Sequence, residues 1–413
     1  MTLWRRARQT GSTMWRATKI ACGILSAAQA SAIAGLVVID ELRKMRSVPS
    51  LDGYPTVDPE PAQVAGTTIE SYMDGESLYA DMLTAIDNAR HQVYFETFIW
   101  KSDGIGQRFK DACIAAAHRG VEVFLIYDAF ANLVVDPRFF HFPPHDNLHV
   151  LRYSLFHTGR DHRKILVVDG EVGFVGGYNI SEKYTTTQWR DTHVRLQGPS
   201  VWELENAFVD FWNTHRRRHL PAIADTGARA WDARVSASLN DPRRMLFPVR
   251  GLYIDALERA RHTAFITSAY FIPDRVIQQA LLDAAARNVT IKVLVPEKSN
   301  HVIADWVSRA YMTDLVRAGV EVWLYHDVMI HAKTAVVDRR WVTVGTANID
   351  RLSMTGNYEV NLQIHDRDMA AHMEEIFFAD LTNATRVDPE VWEQRSLVRR
   401  GLERLLKPLG FLI

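Results

Sequence analysis

Two copies of one short pattern hold the residues of this sequence best suited to catalysis. Each copy reads H-x-K-x4-D and is followed by an asparagine 17 residues after its histidine. The first copy comprises His162, Lys164, Asp169 and Asn179, and the second comprises His331, Lys333, Asp338 and Asn348. One such pattern could arise by chance, but two copies with the same trailing Gly and Asn indicate a duplicated functional element.

The spacing within each copy predicts that its histidine and lysine point the same way. Residues 165–168 and 334–337 are apolar and rich in β-branched side chains, as buried strands are. Because residues i and i+2 of an extended chain face the same side, His162 would project beside Lys164, and His331 beside Lys333. If the two copies meet, two imidazoles and two ammonium groups surround one pocket. In such a pocket an imidazole could attack the phosphorus of a phosphodiester, the other imidazole could protonate the leaving oxygen, and the ammonium groups could hold the anion.

Composition is that of a globular protein with balanced charge. The 413 residues allow two or three domains, and 47% hydrophobic residues can furnish their cores. Lys+Arg 48 against Asp+Glu 49 gives a formal charge of −1, whereas domains that bind nucleic acid are usually strongly basic. Two cysteines, Cys22 and Cys113, are too few for a disulfide framework or a zinc site built from cysteines.

The first 47 residues predict a basic segment followed by an apolar helix. Residues 1–19 hold five Lys or Arg and no acidic residue, and residues 20–39 carry no charge. Their length and flanks fit one membrane span or membrane-surface helix with a basic cytoplasmic side. A cleaved signal peptide, with small residues at 28, 30 and 32, and an Ala-rich helix packed on a soluble body are the alternatives.

The rest of the chain divides into two halves with the same order of elements. A helix from residue 77, a strand at 93–100, a helix at 106–119 and a strand at 121–127 predict a β-α-β unit with a parallel sheet, and residues 132–156 are interpreted as a connection. Stretches 265–272, 277–287 and 289–295 repeat this order at an offset of 168, close to the 169 between the motif histidines. The predicted units are 1–47 (N-terminal helix), 48–68 (linker), 69–215 (first domain), 216–245 (connection), 246–385 (second domain) and 386–413 (C-terminal segment).

The C-terminal segment is basic and amphipathic. Arg399, Arg400, Arg404 and Lys407 outnumber Glu403 and alternate with leucines. A helix of this kind can lie in a lipid interface or dock on the second domain, and the sequence favours neither.

The doubled motif resembles the signature of the phospholipase D superfamily, and the chain is most similar to bacterial cardiolipin synthases and related phosphatidyltransferases. The similarity spans about residues 70–380, with matching stretches at 162–179, 189–194, 267–274, 331–350 and 357–361. The chain departs from the usual synthase pattern at Ser268-Ala269, where Thr-Pro is common, and at Leu352 and Met354, where Arg and Phe are. These departures leave the motif residues intact but bear on the head group and the acceptor.

The resemblance implies a fold and a mechanism. The expected fold is α/β, with two similar α/β/α sandwich domains that form a pseudo-twofold monomer and share an active site at their interface. By analogy, His162 attacks phosphorus to give a phosphohistidine, and His331 protonates the leaving oxygen and then activates the acceptor. The other motif residues would hold phosphate oxygens (Lys164, Lys333, Asn179 and Asn348) or support the catalytic motif from the far end of its strand (Asp169 and Asp338). No cofactor and no metal is expected.

Each histidine also needs a carboxylate on its other ring nitrogen to hold one tautomer. Asp191 lies 29 residues after His162, and Glu359 lies 28 residues after His331, both in strand-like stretches. These two acids are therefore the predicted orienting residues. Glu96 is a further candidate site residue because a carboxylate within an apolar strand needs a partner.

The leading hypothesis is a phosphatidyltransferase at the bacterial cell membrane that makes cardiolipin from phosphatidylglycerol. Its partners would be the phospholipid substrate and a membrane surface, without nucleic acid. Three alternatives stay open, namely a phospholipase D hydrolase with water as acceptor, a phosphodiesterase or nuclease, and a membrane scaffold with a relic site. Two intact motifs argue against the scaffold, and the neutral charge argues against the nuclease. The sequence indicates neither the oligomeric state nor the physiological acceptor.

We predict that EDTA leaves turnover of a phosphatidylglycerol substrate unchanged, because the two motifs supply nucleophile, proton and positive charge without a metal. The measurement compares initial rates before and after chelation, with enzyme dialysed free of EDTA as the control. Strong inhibition that added divalent cation reverses would contradict a metal-free site.

Overall fold

Two eight-stranded sheets, each covered by helices, form the body of the protein. The computed structural model describes residues 15, 19, 25–43, 53–153, 159–225, 227 and 231–411. Most of the predicted basic stretch 1–19, Cys22 and the start of the predicted linker up to residue 52 lie outside the described residues. The two sheets confirm the predicted fold class of two similar α/β domains.

The first sheet is mixed and has the strand order β1-β2-β9-β7-β6-β3-β4-β5. Its three strands β3, β4 and β5 run parallel, and β6, β7, β9, β2 and β1 continue it in antiparallel pairs. The strands of this half are β1 (Ala62–Val64), β2 (Thr67–Tyr72), β3 (Gln92–Thr97), β4 (Glu122–Asp128), β5 (Leu148–Tyr153), β6 (Ile165–Val168), β7 (Val172–Gly176), the separate β8 (Trp189–Arg190) and β9 (His193–Gln197).

The second sheet repeats this topology in the order β10-β17-β16-β15-β11-β12-β13-β18. Again three parallel strands, β11, β12 and β13, adjoin an antiparallel set. The strands are β10 (Val235–Leu239), β11 (Thr263–Ser268), β12 (Thr290–Pro296), β13 (Glu321–Tyr325), the separate β14 (Met329–Ile330), β15 (Lys333–Val337), β16 (Trp341–Gly345), β17 (Val360–Ile364) and β18 (Ala384–Arg386).

Helices connect and cover the strands, and equivalent helices recur in both halves. Several begin at an aspartate, because an ionised side chain at the first position accepts from the free backbone N–H groups of the first turn. The helices are α1 (Leu25–Arg43), α2 (Gly75–Asp87), α3 (Gly104–His118), α4 (Trp202–His215), α5 (Pro248–Arg259), α6 (Arg275–Ala286), α7 (Val302–Arg317), α8 (Arg351–Thr355), α9 (Arg367–Leu381), α10 (Pro389–Glu393) and α11 (Leu397–Leu406).

Four stretches differ from the sequence-based expectation. The predicted linker 48–68 contains strand β1 and the start of β2. The predicted connection 132–156 contains strand β5. This strand is short and amphipathic, and the Pro- and His-rich residues before it favoured a connection in the sequence analysis. The predicted continuous strand at 189–194 is interrupted between β8 and β9, because β8 pairs with β14 of the other half whereas β9 pairs with β2 and β7. Strand β10 lies inside the predicted connection 216–245 and pairs with β17. The domain limits themselves stay a prediction.

The two halves are joined by one apolar cluster and by a buried ion pair. The cluster contains Val175 and Val194 from the first sheet together with Val344 and Leu362 from the second. Arg190 donates two hydrogen bonds to Asp380, at 3.0 Å from Nε and 2.9 Å from Nη2, and both side chains are buried. The buried apolar cluster and this ion pair help to hold the halves in a defined relative position, which a site shared between them requires.

Helix α1 and the C-terminal segment pack together against α7. Leu36 of α1 and Leu406 of α11 are buried beside Ala304 and Val307 of α7, and Gln29 Nε2 donates to the carbonyl of Leu405 at 2.9 Å. By length and mean hydropathy (1.4), α1 could cross a membrane, and most of its surface is exposed. The C-terminal helix is thus docked on the second domain along one side.

Candidate active site

The two motif histidines line one cavity. This cavity has a volume of about 1120 Å³ and lies between the two halves of the chain, with His162 and His331 in its wall. Asn179 and Asn348, the asparagines that trail the two motifs, line it as well. The two histidines are 169 positions apart in the sequence, as are the two asparagines, and all four residues face the same cavity.

His162 is fixed by a carboxylate from the second half of the chain. Its Nδ1 lies 2.9 Å from Oε2 and 3.1 Å from Oε1 of Glu359, whose side chain is fully buried. Because an ionised carboxylate can only accept, Nδ1 carries the proton, and the lone pair is on Nε2. Burial lowers the pKa of His162, although the attraction of Glu359 opposes this. The ring is therefore a neutral imidazole at pH 7.

His331 is fixed in the same way by a carboxylate from the first half. Its Nδ1 lies 2.6 Å from Oδ2 of Asp191, and Oδ1 of the same carboxylate accepts from the backbone N–H of Thr192 at 2.8 Å. Burial and the neighbouring Lys333 lower the pKa of His331 to about 3. Lys333 Nζ also lies 2.7 Å from Nδ1. Because Nδ1 carries a hydrogen and donates it in the hydrogen bond to Asp191, it cannot also accept from Lys333, so we interpret this second contact as a close approach and not as a hydrogen bond.

Backbone hydrogen bonds between the halves hold each histidine next to its carboxylate. The N–H of His162 donates to the carbonyl of Tyr358 at 3.1 Å, directly before Glu359. The N–H of His331 donates to the carbonyl of Arg190 at 2.6 Å, directly before Asp191. Strands β8 and β14, one from each half, pair in parallel just before the second contact.

The acids are thus exchanged between the halves. Sequence spacing associates Asp191 with His162 and Glu359 with His331, whereas the structure brings Asp191 to His331 and Glu359 to His162. Spacing along the chain identifies both acids but contains no information on which half each one reaches. The orienting roles stay predictions, and the geometry gives each role a specific partner.

Both motif lysines are buried behind the cavity wall. Lys164 and Lys333 are 2% and 1% exposed, and each Nζ donates to the carbonyl of the histidine two residues before it. Burial lowers the pKa of Lys164 to about 7 and that of Lys333 to about 8, partly offset by the buried acids. An ammonium group has three donors, so each lysine can keep its carbonyl bond and donate to a phosphate oxygen.

The trailing asparagines differ in their bonding. Asn179 accepts from the backbone N–H of Ile99 at 3.0 Å, which orients its amide. Asn348 has a buried Oδ1 without a hydrogen-bond partner among the described residues. Since buried polar atoms are nearly always bonded, an unused acceptor in a cavity wall fits a polar ligand.

The motif aspartates lie outside the cavity and hold the chain. Asp169 accepts from the backbone N–H groups of residues 90, 91 and 92 at 2.8–2.9 Å, and Asp338 accepts from those of residues 261, 262 and 263 at 2.7–2.9 Å. Each therefore anchors the turn that leads into the strand beside its motif, β3 or β11. This geometry agrees with a supporting role.

Glu96 is turned away from the cavity. It is fully buried and forms an ion pair with Arg163, whose Nε and Nη2 lie 2.9 and 2.5 Å from Oε1. Arg163 stands between His162 and Lys164, so in an extended chain it faces the opposite side. The structure thus gives Glu96 the partner that its burial requires without bringing it to the histidines.

Aromatic rings that the sequence analysis did not single out pack on both imidazoles. Ring centroids are 4.7 Å apart for Phe98 and His162 and 4.9 Å apart for Trp189 and His331, and Tyr270 contacts His331 from another side at 6.3 Å. Their signal in the sequence was weak, since aromatic residues in strand-like stretches usually belong to a core.

A metal site is not formed by the motif residues. Among the described residues, the His, Asp and Glu side chains close enough together to share an ion are Glu60, His372 and Glu375, and none of them lines the cavity. Both carboxylates next to the histidines are used as hydrogen-bond acceptors by the rings. This donor set fits acid–base and nucleophilic chemistry by imidazole.

Comparison with known proteins identifies the family. The family model described as cardiolipin synthase, PLD-like domain matches the chain twice, at residues 82–212 and 253–381. The chain belongs to the phospholipase D superfamily. Each match covers most strands of one sheet, and the two matches confirm the resemblance found in the sequence.

Curated relatives of this phospholipase D-like chain are cardiolipin synthases. The enzyme of Clostridium perfringens is 32% identical over 372 residues, covering 83% of this chain and 76% of the relative. The major cardiolipin synthase ClsA of Bacillus subtilis is 30% identical, covering 83% and 75%. The solved structure of phosphatidylserine synthase from Haemophilus influenzae superposes with a TM-score of 0.64 at 15% identity, covering 83% of this chain and 93% of that one, and shows the fold.

We predict that Glu359→Gln and Asp191→Asn each lower kcat for phospholipid turnover about 10²-fold or more. The amide can no longer hold the Nδ1–H tautomer or stabilise a positive ring, as in other histidine–carboxylate pairs. Measured rates should be compared with those of Glu258→Gln, which alters an exposed carboxylate of α5.

The double variant is the sharper test. If each acid serves the histidine of the other half, combining Asp191→Asn with His331→Ala should cost no more than His331→Ala alone, and Glu359→Gln with His162→Ala should cost no more than His162→Ala alone. Additive losses in the pair Asp191 and His331 would contradict the exchanged assignment.

Proposed function

We propose that this enzyme is a phosphatidyltransferase that makes cardiolipin from two molecules of phosphatidylglycerol, with His162 and His331 as its catalytic residues. The observation that carries the proposal is that both imidazoles line one cavity while a buried carboxylate holds each Nδ1. Neither Nε2 atom is used by these carboxylates, and in the proposed mechanism both act on one phosphorus atom. The cardiolipin synthase relatives support the choice of substrate and product.

In the first step, Nε2 of His162 attacks the phosphorus of phosphatidylglycerol. The bond from phosphorus to the oxygen of the glycerol head group breaks, and protonated His331 gives that oxygen its proton. The products are free glycerol and a phosphatidyl group bound covalently to His162. Assigning the attack to His162 follows the family resemblance, since both imidazoles are prepared in the same way.

In the second step, a hydroxyl of another phosphatidylglycerol molecule enters the vacated position. His331, now neutral, removes the proton of that hydroxyl as its oxygen attacks phosphorus and the bond to His162 breaks. Cardiolipin leaves, and both histidines return to their starting states. The net reaction converts two phosphatidylglycerol molecules into one cardiolipin and one glycerol.

The acid function of His331 depends on the bound substrate. In the ligand-free protein, burial and Lys333 lower the pKa of His331 to about 3, so the ring is neutral. A phosphodiester brings a negative charge into the cavity, which raises the pKa of the ring and of both lysines. Binding the anion thus supplies the electrostatic condition for taking up the proton that the leaving oxygen needs.

The membrane is the proposed source of the substrate, because exposed apolar residues surround the mouth of the cavity. Phe130, Met245 and Leu352 line the cavity yet stay exposed to solvent. Their neighbours Leu133, Val134 and Leu246 are exposed as well, and Ile33 of α1 contributes another wall. Monomeric proteins rarely expose apolar side chains in such groups without a binding role. We therefore propose that this rim and α1 face the bacterial membrane.

We predict that purified protein given phosphatidylglycerol in mixed micelles forms cardiolipin and glycerol in equal amounts. His162→Ala and His331→Ala should each lower the rate by at least about 10³-fold, because each removes a group that both steps need. Chromatographic separation of lipids and an enzymatic glycerol assay measure the products. Phosphatidic acid as the sole lipid product would establish the hydrolase instead.

The covalent step has its own control. Rapid quenching under alkaline conditions, followed by peptide mapping, should find the phosphatidyl group on His162 in the wild type and none in His162→Ala. Labelling of His331 in its place would reverse the two roles while keeping the two-step reaction. Labelled DNA in the same assay should stay intact.

The lysine pKa values predict a pH dependence. Only charged lysines attract the substrate anion, and the pKa values of Lys164 and Lys333 in the free enzyme are about 7 and about 8. Both are charged below these values, so kcat/KM should fall as pH rises through about 7 to 8, mainly through a higher KM. The bound anion raises both pKa values, so kcat should persist to higher pH. A kcat/KM that is flat between about pH 6 and about pH 9 would contradict this role.

A further inference from the structure

A second cavity lies between helices α7, α10 and α11. Its volume is about 160 Å³, and its walls include five cationic side chains and three acidic ones. The cationic residues are Arg317, Arg395, Arg400, Arg404 and Lys407. This cavity shares no lining residue with the cavity that contains His162 and His331.

Three of the five cations are paired within the wall. Arg317 lies 2.5 Å from Glu393, Arg395 lies 2.8 Å from Glu403, and Lys407 lies 3.7 Å from Asp314. Arg400 and Arg404, one turn apart on α11, form no ion pair within the described part of the chain. The cavity therefore has a net charge of +2, carried by two neighbouring guanidinium groups.

The same cavity has buried donors without acceptors. Nε and Nη1 of Arg395 and Nε of Arg400 are buried and have no hydrogen-bond partner among the described residues. Burial lowers the pKa of Arg395. The nearby Arg309 and Arg400 lower it further, and Glu403 opposes this by raising it. Buried, unpaired donors next to like charges destabilise a protein unless something binds there. An anion would satisfy both the charge and the hydrogen bonds.

The chemistry of the cavity favours a phosphate group as its ligand, and the volume admits one. The volume of about 160 Å³ is well above the roughly 10–15 Å³ that one water molecule needs in a cavity, so a phosphate group can enter. Guanidinium groups match phosphate oxygens in geometry and form two parallel hydrogen bonds with them. A whole phospholipid is far too large, so only a head group could enter while its acyl chains stay outside.

Exposed apolar residues lie next to this cavity. Leu397 and Val398, in the first turn of α11, are 78% and 72% exposed, and α11 also contacts α1. Helix α7 reaches from one cavity to the other, with Ala304 in the first and Arg317 in the second. At 1.5 Å per residue these positions are about 20 Å apart along the helix. The equivalent connection of the first half, residues 129–147, contains no helix of this length.

We propose that the cavity between α7, α10 and α11 is a second anion site, which binds a phosphate group belonging to an anionic phospholipid or to free phosphate. Arg400 and Arg404 hold the phosphate oxygens, and the free N–H groups of Arg395 complete the site. The site goes beyond the proposed transfer reaction, and its occupancy does not require that reaction.

Binding can be measured in full-length protein that does not consume lipid. In a His162→Ala background, isothermal titration uses three probes, namely inorganic phosphate, dihexanoyl phosphatidylglycerol and dihexanoyl phosphatidylcholine. Adding Arg400→Gln and Arg404→Gln should weaken binding at one site by at least about tenfold, since hydrogen bonds to charged groups are lost. The matched control, Arg108→Gln with Arg367→Gln, removes the same charge from exposed positions on α3 and α9.

The outcomes separate the two sources of phosphate. Loss of a phosphatidylglycerol site without any inorganic phosphate binding identifies a lipid head group, and loss of an inorganic phosphate site identifies free phosphate. Equal binding of every probe by the Arg400/Arg404 variant and its control would overturn the proposal. Failure of cardiolipin synthesis in the wild type would leave these titrations unaffected, so the two proposals fail separately.

Stability without ligand gives an independent readout. If the arginines are retained for a ligand, Arg400→Gln and Arg404→Gln should leave the unfolding temperature of the ligand-free protein unchanged or raise it, because they remove like-charge repulsion. A purely structural role predicts a lower unfolding temperature. That result, together with unchanged phosphate binding, would also count against the site.

Discussion

Each motif histidine takes its carboxylate from the other half of the chain, and this exchange is the constraint on which the site depends. Neither half alone contains an oriented imidazole, because Glu359 reaches His162 and Asp191 reaches His331. Both pairs are buried, so separating the halves would leave acids without partners in a medium that penalises them. The apolar cluster between the sheets and the ion pair of Arg190 with Asp380 therefore serve the chemistry as well as the fold.

The balance of charges in the site explains why both imidazoles are neutral without a ligand and why binding of an anion favours the protonated ring that the first step needs. Two lysines and two carboxylates roughly neutralise one another, and the imidazoles between them are neutral because burial outweighs the attraction of the acids. A phosphodiester shifts that balance by one negative charge. Uptake of one proton restores the balance. An imidazole whose Nδ1 already donates to a carboxylate can take that proton only at Nε2, the atom that the proposed mechanism directs at the leaving oxygen.

The sequence contained the local parts of this arrangement and lacked the relation between them. Strand periodicity sufficed to put His162 beside Lys164 and to set Asp169 apart, because both are properties of a single extended segment. Duplication sufficed for two similar α/β domains. The sequence could not predict the exchange of Asp191 and Glu359, because the equal spacing is compatible with pairing within each half and with pairing between the halves. Glu96 shows the same limit. Its position in an apolar strand predicted that it needs a partner, but the identity of that partner, Arg163, depends on the register of β3 with β6. Strand β5 and helix α7 went undetected because polar residues interrupt their apolar patterns.

The two halves have also diverged around the shared pocket in ways that compensate. A Cβ atom on Gly177 would lie 2.0 Å from Oδ1 of Asp191, so glycine there leaves room for the shorter acid. The equivalent residue of the second half is Thr346, whose Oγ1 donates to the longer Glu359 at 2.5 Å. Each half thus reaches a fixed carboxylate by a different combination of side chain and space. Because the two environments are no longer identical, the two histidines can differ in proton affinity, and a duplicated motif can divide the nucleophilic and the acid–base role between its copies.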